Sequence, residues 1–299
     1  MEEVMGEPTP ARKTSSVAVP KEMSMTDAAA SVLREAEARF GDRARALEAG
    51  STAAESVHQA RVALRRLRVT LRVFGDVLVE GHAPSLAKSA RWLFVQLGHV
   101  RELQLLRAQL PTCALPAPTL RTDRAVIDAA LASACTALSA ALVSARYETF
   151  RHELRQAVVD GTLRDVPEPA RENVKAQLRR WHRKARRHAK ACPVTPADQH
   201  ALRKELKRLR YASELLFSQP STPAGKVAPY LRRLAKLQDA LGTLVDAHQA
   251  CLLARRLQTS GLLREALAAQ RAEVRATLQP EVTRRLHWFV HKRPAWQHA

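Results

Sequence analysis

From Met25 almost to the end of the chain, apolar residues return every third or fourth position. That spacing places them along one face of a helix, and no stretch shows the strict alternation of a half-buried strand. Seven Pro-, Gly- or polar-rich breaks interrupt the pattern: "EAGST" (48–52), "EGHAPS" (80–85), "PTCALPAPT" (111–119), "DGTLRDVPEP" (160–169), "CPVTP" (192–196), "SQPSTPAG" (218–225) and "TSGL" (259–262). They predict about eight helices, near 25–48, 53–79, 85–109, 120–159, 170–191, 196–217, 228–258 and 262–292. The fold class is therefore all-α. Two helix starts carry cap signals: Thr52 with Glu55 three residues on, and Thr195 followed by Pro196 and Asp198. Residues 1–24 are rich in Pro, Ser, Thr and charge and read as a disordered leader.

The helices fall into two sets of four because the sequence repeats. His58 and His200 are 142 residues apart, and the same offset pairs Arg61 with Arg203, Arg65 with Lys207, Arg66 with Arg208 and Arg68 with Arg210. Phe74 pairs with Leu216. A second landmark, "LGHVREL" from Leu97 and "LGTLVDA" from Leu241, repeats at an offset of 144. Two copies make a pseudo-symmetric pair, not a solenoid. The copies span 25–165 and 166–299.

On a helical wheel His58, Arg61, Arg65, Arg68 and Arg72 share an arc of about 80°. Val62, Val69 and Val73 border it on one side, and Leu64, Leu67, Leu71 and Phe74 on the other. In the second copy His200, Arg203, Lys207 and Arg210 share one arc, bordered by Leu206 and Phe217, and by Tyr211 and Leu215 with Lys204 between them. Glu214 stands where the first copy has Arg72. A surface helix has one apolar stripe and a broad polar face; a narrow basic stripe flanked by apolar residues fits a cleft between packed helices.

Composition sharpens this reading. Lys plus Arg number 49 against 29 Asp plus Glu, for a net charge of +20 and a pI near 10.9. Such an excess favours an anionic partner: nucleic acid, an acidic membrane surface or a polyphosphate-like ligand. Aligned cations in a partly desolvated cleft repel one another unless an anion offsets them. Arginine binds phosphate oxygens bidentately, and a nearby anion raises the pKa of histidine so that it can donate as well. The alternative is that the stripes are solvated or paired with acids inside the fold, although few acids stand at matching spacing.

The strings "VHQARVALRRLRVTLRVF" (57–74) and "HALRKELKRLRYASELLF" (200–217) resemble the two signature helices of the CHAD family, the conserved histidine α-helical domain. "LGHVRELQLL" (97–106) and "LQDALGTLVDA" (237–247) resemble the helices that follow them. The resemblance covers roughly residues 25–295. It implies two four-helix bundles related by a pseudo-twofold axis, with a basic pore or cavity between them. It further implies binding of inorganic polyphosphate and recruitment to polyphosphate granules, without catalysis by the domain. Carried over by position, the ligand contacts are His58, Arg61, Arg65, Arg66, Arg68, His200, Arg203, Lys207, Arg208 and Arg210. Arg72 joins them from its wheel position. Arg101 joins them because "VRE" is similar to the family's Arg-Asp step, with Glu102 in place of Asp; the second copy has Val245 and Asp246 there.

Nucleic-acid binding through the same basic surfaces is the competing expectation, since phosphate contacts alone do not separate the two polymers. Aromatic residues at 4% make a poor base-stacking platform. An adaptor for an acidic protein is a third class, and it explains the stripe periodicity less well. "LRRWHRKARRHAK" (178–190) adds nine basic or His residues, with Leu178, Trp181, Ala185, Ala189 and Cys192 on a packing face. It reads equally as a second polyanion surface or as a solvated face. "EAEAR" (35–39) is similar to the ExExK string of triphosphate tunnel enzymes, but on a helix Glu35 and Glu37 point about 160° apart. Cations beside His58 and His200 argue against a metal site, and no cofactor motif is present. The four cysteines lack metal or disulfide spacing and read as reduced thiols. No secretory signal is evident and no run approaches a transmembrane helix in length. The expectation is a non-enzymatic, cytoplasmic protein that does not engage membranes and associates with polyphosphate granules; its oligomeric state is open.

Overall fold

The computed structural model describes residues 22–159, 162–191, 195–217 and 224–294, with side chains for all of these except 215–217 and 224–226. Nine α-helices lie among the described residues: α1 (Met25–Glu48), α2 (Ala54–Phe74), α3 (His82–Gln109), α4 (Ala117–Leu142), α5 (Ala145–Gln156), α6 (Ala170–Lys190), α7 (Pro196–Phe217), α8 (Ala224–Arg256) and α9 (Gly261–His291). Among those residues the only extended pairings are two isolated bridges, Ser24 with Pro169 and Leu78 with Leu163. The all-α class therefore stands.

Where the helix limits differ from expectation, local chemistry explains it. The helix expected over 120–159 is two helices. Ser144 is extended, accepts from the Tyr147 N–H at 3.3 Å and so caps α5. With neither Pro nor Gly at this point, periodicity reads straight through the break. The turn carries Tyr147, Phe150 and Leu154 into the core, where the Phe40 and Phe150 rings meet edge to face at 5.6 Å. The helix expected over 53–79 stops at Phe74 and tightens into a 3₁₀ turn, Gly75–Val77. Helix α3 starts earlier than expected because Pro84 falls in its first turn, where an N–H has no helical carbonyl to reach. Helix α8 also starts early and runs through Pro229.

The Thr52–Glu55 capping box does not form. Ala53 holds the N-cap position without a side-chain bond, the Thr52 carbonyl accepts from Gln104 Nε2 at 2.8 Å, and Glu55 accepts from Gln59. A tertiary partner claims the segment instead. At the other cap Thr195 Oγ1 accepts from the Asp198 N–H at 3.2 Å and donates to the Asp198 carboxylate at 2.6 Å.

Helices adjacent in the chain pack together: α1 on α2, α2 on α3, α3 on α4, then α6 on α7, α7 on α8 and α8 on α9. Between the two series each helix meets its counterpart, α1 with α6, α2 with α7, α3 with α8 and α4 with α9. The principal core is continuous across both series, from Leu33, Leu64 and Phe74 to Leu206, Leu241 and Phe289. A smaller cluster joins the far ends of α3, α4, α8 and α9 around Leu106, Ile127, Ala254 and Leu263. The segment between the halves is stitched back: the Met25 N–H donates to the Val166 and Glu168 carbonyls, and the Arg164 N–H to Val77 at 2.7 Å.

One expectation about membranes is corrected. By length and composition, α4 is long and apolar enough to span a membrane, with a mean hydropathy of 1.7 over its best window. Much of that hydropathy comes from alanine, so the segment scores high while carrying little apolar bulk.

Phe150 is fully buried, whereas Val143 at the α4–α5 break is 79% exposed. Phe150→Ala is expected to cost about 3–5 kcal/mol of unfolding free energy, and Val143→Ala no more than about 0.5 kcal/mol. Urea denaturation of the two variants measures the contrast.

Candidate functional site

The stripe on α2 is held in place by α3 and α7. Val57, Ala60, Leu64, Leu67 and Leu71 fill the core, which turns the intervening arginines along the flank of the helix. Arg61 folds against α3, donating from Nη1 to the Phe94 carbonyl at 2.9 Å with its guanidinium 4.2 Å from the Phe94 ring centroid. The Arg68 and Arg65 guanidiniums lie 5.2 Å and 5.7 Å from the same ring. Three cations thus crowd one aromatic ring.

Tyr211 of α7 is surrounded in the same way. Arg65 Nη1 donates to its hydroxyl at 3.2 Å, and the guanidiniums of Arg210, Arg66 and Arg65 lie 5.4, 5.9 and 6.0 Å from its ring.

The Leu-Gly landmarks acquire a physical meaning here. A Cβ on Gly98 would stand 2.8 Å from Arg61 Nη1, and one on Gly242 would stand 3.4 Å from Arg203 Nε. Each glycine leaves the room that lets a stripe arginine lie against the next helix. In the first copy the arginine rests on Phe94; in the second Arg203 faces Asp246, 3.6 Å away. Repetition alone marks these glycines, and the sequence pattern does not say what they make room for.

A cleft of about 170 Å³ opens where α2, α3 and α7 meet. Arg65, Arg68, Val69, Arg72 and Phe94 line it from one side, and Lys204, Lys207 and Arg208 from the other. Six of these eight residues are cations, and no acid is among them. Five of the sequence candidates therefore share this cleft: Arg65, Arg68, Arg72, Lys207 and Arg208. Phe94 and Lys204 were not among the candidates.

The other candidates lie around it. Arg61 and Arg203 are packed behind the wall. Arg66 and Arg210 both reach Glu214, at 3.5 Å and 2.9 Å. Arg101 donates to the Ala54 carbonyl at 3.4 Å, at the far end of α2 beside His58. His200 Nδ1 is buried with no hydrogen-bond partner among the described residues. Leu215, Leu216 and Phe217, expected to border or match the stripes, lie outside the described side chains.

Acids engage more of the stripe than spacing along single helices indicated. Glu214 serves Arg66 and Arg210, Glu205 serves Arg208 at 2.9 Å, and Asp246 serves Arg203. Two of these pairings, Arg66–Glu214 and Arg203–Asp246, cross between helices, so no wheel reveals them. Among the described residues Arg65, Arg68, Arg72, Lys204 and Lys207 have no ion-pair partner.

The charges in this neighbourhood depress one another. Burial, then Arg65 and Arg203, push the Lys207 ammonium down to about 6, against a weak opposing pull from Asp246. Burial and then Arg65 lower Arg61 to about 10. Burial and then Arg72 and Arg91 lower Arg68. His58 is held below its ordinary value by burial and Arg101, and His200 by burial, Lys204 and Arg203. Both imidazoles are thus neutral at pH 7, and their protonation awaits an added negative charge.

A larger open groove of about 780 Å³ lies between the start of α2, the end of α3 and α4. Its two cations share one acid, Asp128, which pairs with Arg107 at 2.6 Å and with Arg124 at 3.7 Å. Among the described residues no group of three or more His, Cys, Asp or Glu is placed to hold a metal ion.

These features define a helical protein whose unpaired cations converge on one cleft between repeated helices. The CHAD domain family model matches residues 31–258, well over half of the sequence, and the chain belongs to the CHAD domain family. Among solved structures it resembles the crystal structure of the CHAD domain from the plant Ricinus communis, with a TM-score of 0.75 and 24% identity over 93% of this chain and 96% of that one. It also resembles PptA from Streptomyces chartreusis, with a TM-score of 0.61 and 19% identity over 92% of this chain and the whole of that one. At these identities the likenesses establish a shared fold. No curated protein matches the sequence significantly.

The depressed Lys207 ammonium has a consequence for stability. Its folded-state pKa lies below the unfolded value, so the cost of charging it is present in full below about pH 6 and is relieved as pH rises toward about 10. Lys207→Met is therefore expected to stabilise the protein most at about pH 6, with its advantage over the parent shrinking by about pH 9. Urea midpoints of the two proteins at both pH values test this.

Proposed function

We propose that the protein binds inorganic polyphosphate in the cleft between α2 and α7, without catalysing a reaction on it. The observation that carries this reading is the convergence of six cations from both copies of the repeat, with no acid, on one narrow cleft. A linear polymer with a negative charge on every unit relieves the repulsion among them. Arg65, Arg68 and Arg72 can each present two N–H donors to phosphate oxygens. Lys207 and Lys204 add point charges opposite.

In this reading residues 25–165, with α1 to α5, and residues 166–299, with α6 to α9, form two helical halves related by a pseudo-twofold axis, the first carrying one helix more than the four expected, and the basic cleft is the cavity between them. The meeting of each helix with its counterpart supports that arrangement. Arg61, Arg66, Arg203 and Arg210 flank the cleft and raise its potential, Arg101 and His58 stand at the far end of α2, and His58 and His200 add charge only when an anion protonates them. The conformational cost of engaging Arg66 and Arg210 directly is the loss of Glu214. Membership of the CHAD family supports polyphosphate as the polymer and association with polyphosphate granules in the cytoplasm as the setting.

Nucleic acid offers the same repeated phosphates, but a cleft of about 170 Å³ walled by helices is too narrow for a duplex. Phe94 and Tyr211 are each crowded by three arginine guanidiniums, which compete with a base for their rings.

The experiment is a salt titration of binding to long-chain polyphosphate and to length-matched single- and double-stranded nucleic acid. Polyphosphate is expected to bind most tightly at physiological salt, and R65E/K207E to abolish that binding while leaving helicity and monodispersity unchanged. Nucleic acid binding as tightly as polyphosphate, or a double variant of unchanged affinity, sinks the assignment. A bound polyanion also restores the proton of Lys207, so affinity should fall as pH rises from about 6 to about 9 and level off below about 6. K207M should flatten that slope.

A further inference from the structure

We propose that the outward face of α6 is a second polyphosphate-binding surface, continuous with the cleft, which engages chains long enough to leave it. This inference rests on the cleft reading above and extends it along the polymer.

Between Glu172 and Asp198 the sequence contains no acidic residue, while Arg179, Arg180, Arg183, Lys184, Arg186, Arg187 and Lys190 follow one another through α6. All seven are exposed. Val174, Leu178, Trp181, Ala185 and Ala189 form the opposite, buried face. His182 belongs to that buried face, with its ring 5.1 Å from that of Phe289, so it is not part of the surface. On the helical wheel Arg180, Arg183, Lys184, Arg187 and Lys190 share an arc of about 120°.

A solvated helix face does not account for this arrangement. Like charges at i,i+3 and i,i+4 destabilise a helix, and this face stacks them at almost every such pair. The helix dipole favours cations in the last turn, which covers Arg187 and Lys190 but not Arg179, Arg180 and Arg183. The counterpart helix α1 is built differently. Its Arg39 pairs with Glu35, its Arg45 with Asp42, and its Glu37 with Arg151 from α5. On α6 the ion pairs among the described residues involve Lys175 with Glu172 and Lys184 with Glu205.

The second of these pairs joins the face to the cleft. Glu205 accepts from Lys184 at 3.0 Å through one oxygen and from Arg208 at 2.9 Å through the other. Arg208 lines the cleft, and its guanidinium lies 5.6 Å from the ring of Trp181 on α6. A polymer leaving the cleft past Arg208 therefore meets Lys184 next, and Arg180, Arg183 and Arg187 beside it. From Arg180 to Lys190 the face runs about 15 Å. A short oligomer that fills the cleft does not reach it.

The test compares the full chain with R180Q/R183Q/R187Q, in which Lys184 keeps its bond to Glu205. Glutamine is close to arginine in helix propensity, so α6 should persist, and far-UV circular dichroism checks this. The probes are tripolyphosphate and long-chain polyphosphate across a salt series. Tripolyphosphate affinity is expected to be unchanged. Long-chain affinity should fall by about tenfold at low salt, and its logarithmic salt slope should become shallower by about 2, as for three lost phosphate contacts. Unchanged long-chain affinity and slope overturn the proposal, as does an equal loss for both probes. A parent protein that binds neither probe overturns the cleft reading instead. If R65E/K207E retains long-chain binding that the α6 variant loses, the α6 surface stands and the cleft assignment falls.

Discussion

The arrangement depends on positive charge being packed against positive charge with too few acids to balance it. Arg61, Arg65 and Arg68 crowd one phenylalanine ring, and Arg65 also reaches across to Tyr211 on the opposing helix. Each contact has a local compensation: a carbonyl for Arg61, a hydroxyl for Arg65, an aromatic ring for all three. None supplies a full negative charge. Burial first, and then this residual repulsion, lower the Lys207 ammonium and the two histidines. A surface can hold such a cluster in water at little cost; a cleft between helices holds it only because the surrounding apolar core is large enough to bear the strain.

Glycine and acid are distributed so that the two copies differ in a useful way. Both use a glycine on the third helix to admit an arginine from the second. In the first copy that arginine rests on Phe94, and in the second it faces Asp246. Glu214, in the place of Arg72, ties Arg66 and Arg210 together across α2 and α7. Part of the seam's positive charge is therefore offset from within, while Arg65, Arg68, Arg72, Lys204 and Lys207 have no ion-pair partner among the described residues.

Much of the fold was legible before any coordinates, because helix periodicity, Pro and Gly breaks and the repeat are all local signals. The all-α class follows from them, and the resemblance to the CHAD family rests on the strings at 57–74 and 200–217. Two of the differences come from tertiary contacts. Ser144 breaks a helix in a run without Pro or Gly, because the turn is set by where Phe150 must pack. Thr52 forgoes its cap because its carbonyl is taken by Gln104 from α3. Pro84 falls in a break of the pattern, yet a helix start tolerates it. The hydropathy of α4 comes largely from alanine, in a segment that also carries polar and charged residues and so does not stand out as one apolar run.

By itself the sequence determined which residues lie on each helix face, that the basic faces recur, and that the chain carries far more positive than negative charge. These follow from the 3.6-residue period and from counting. Only the tertiary structure decided which cations share a space. Arg61 and Arg65 are neighbours on the wheel, yet one is spent against α3 and the other faces the cleft. Arg66 looks free along α2 and meets an acid 148 residues away. The physical reason is that electrostatic pairing depends on distance through space, and distances between helices are set by how their apolar faces pack.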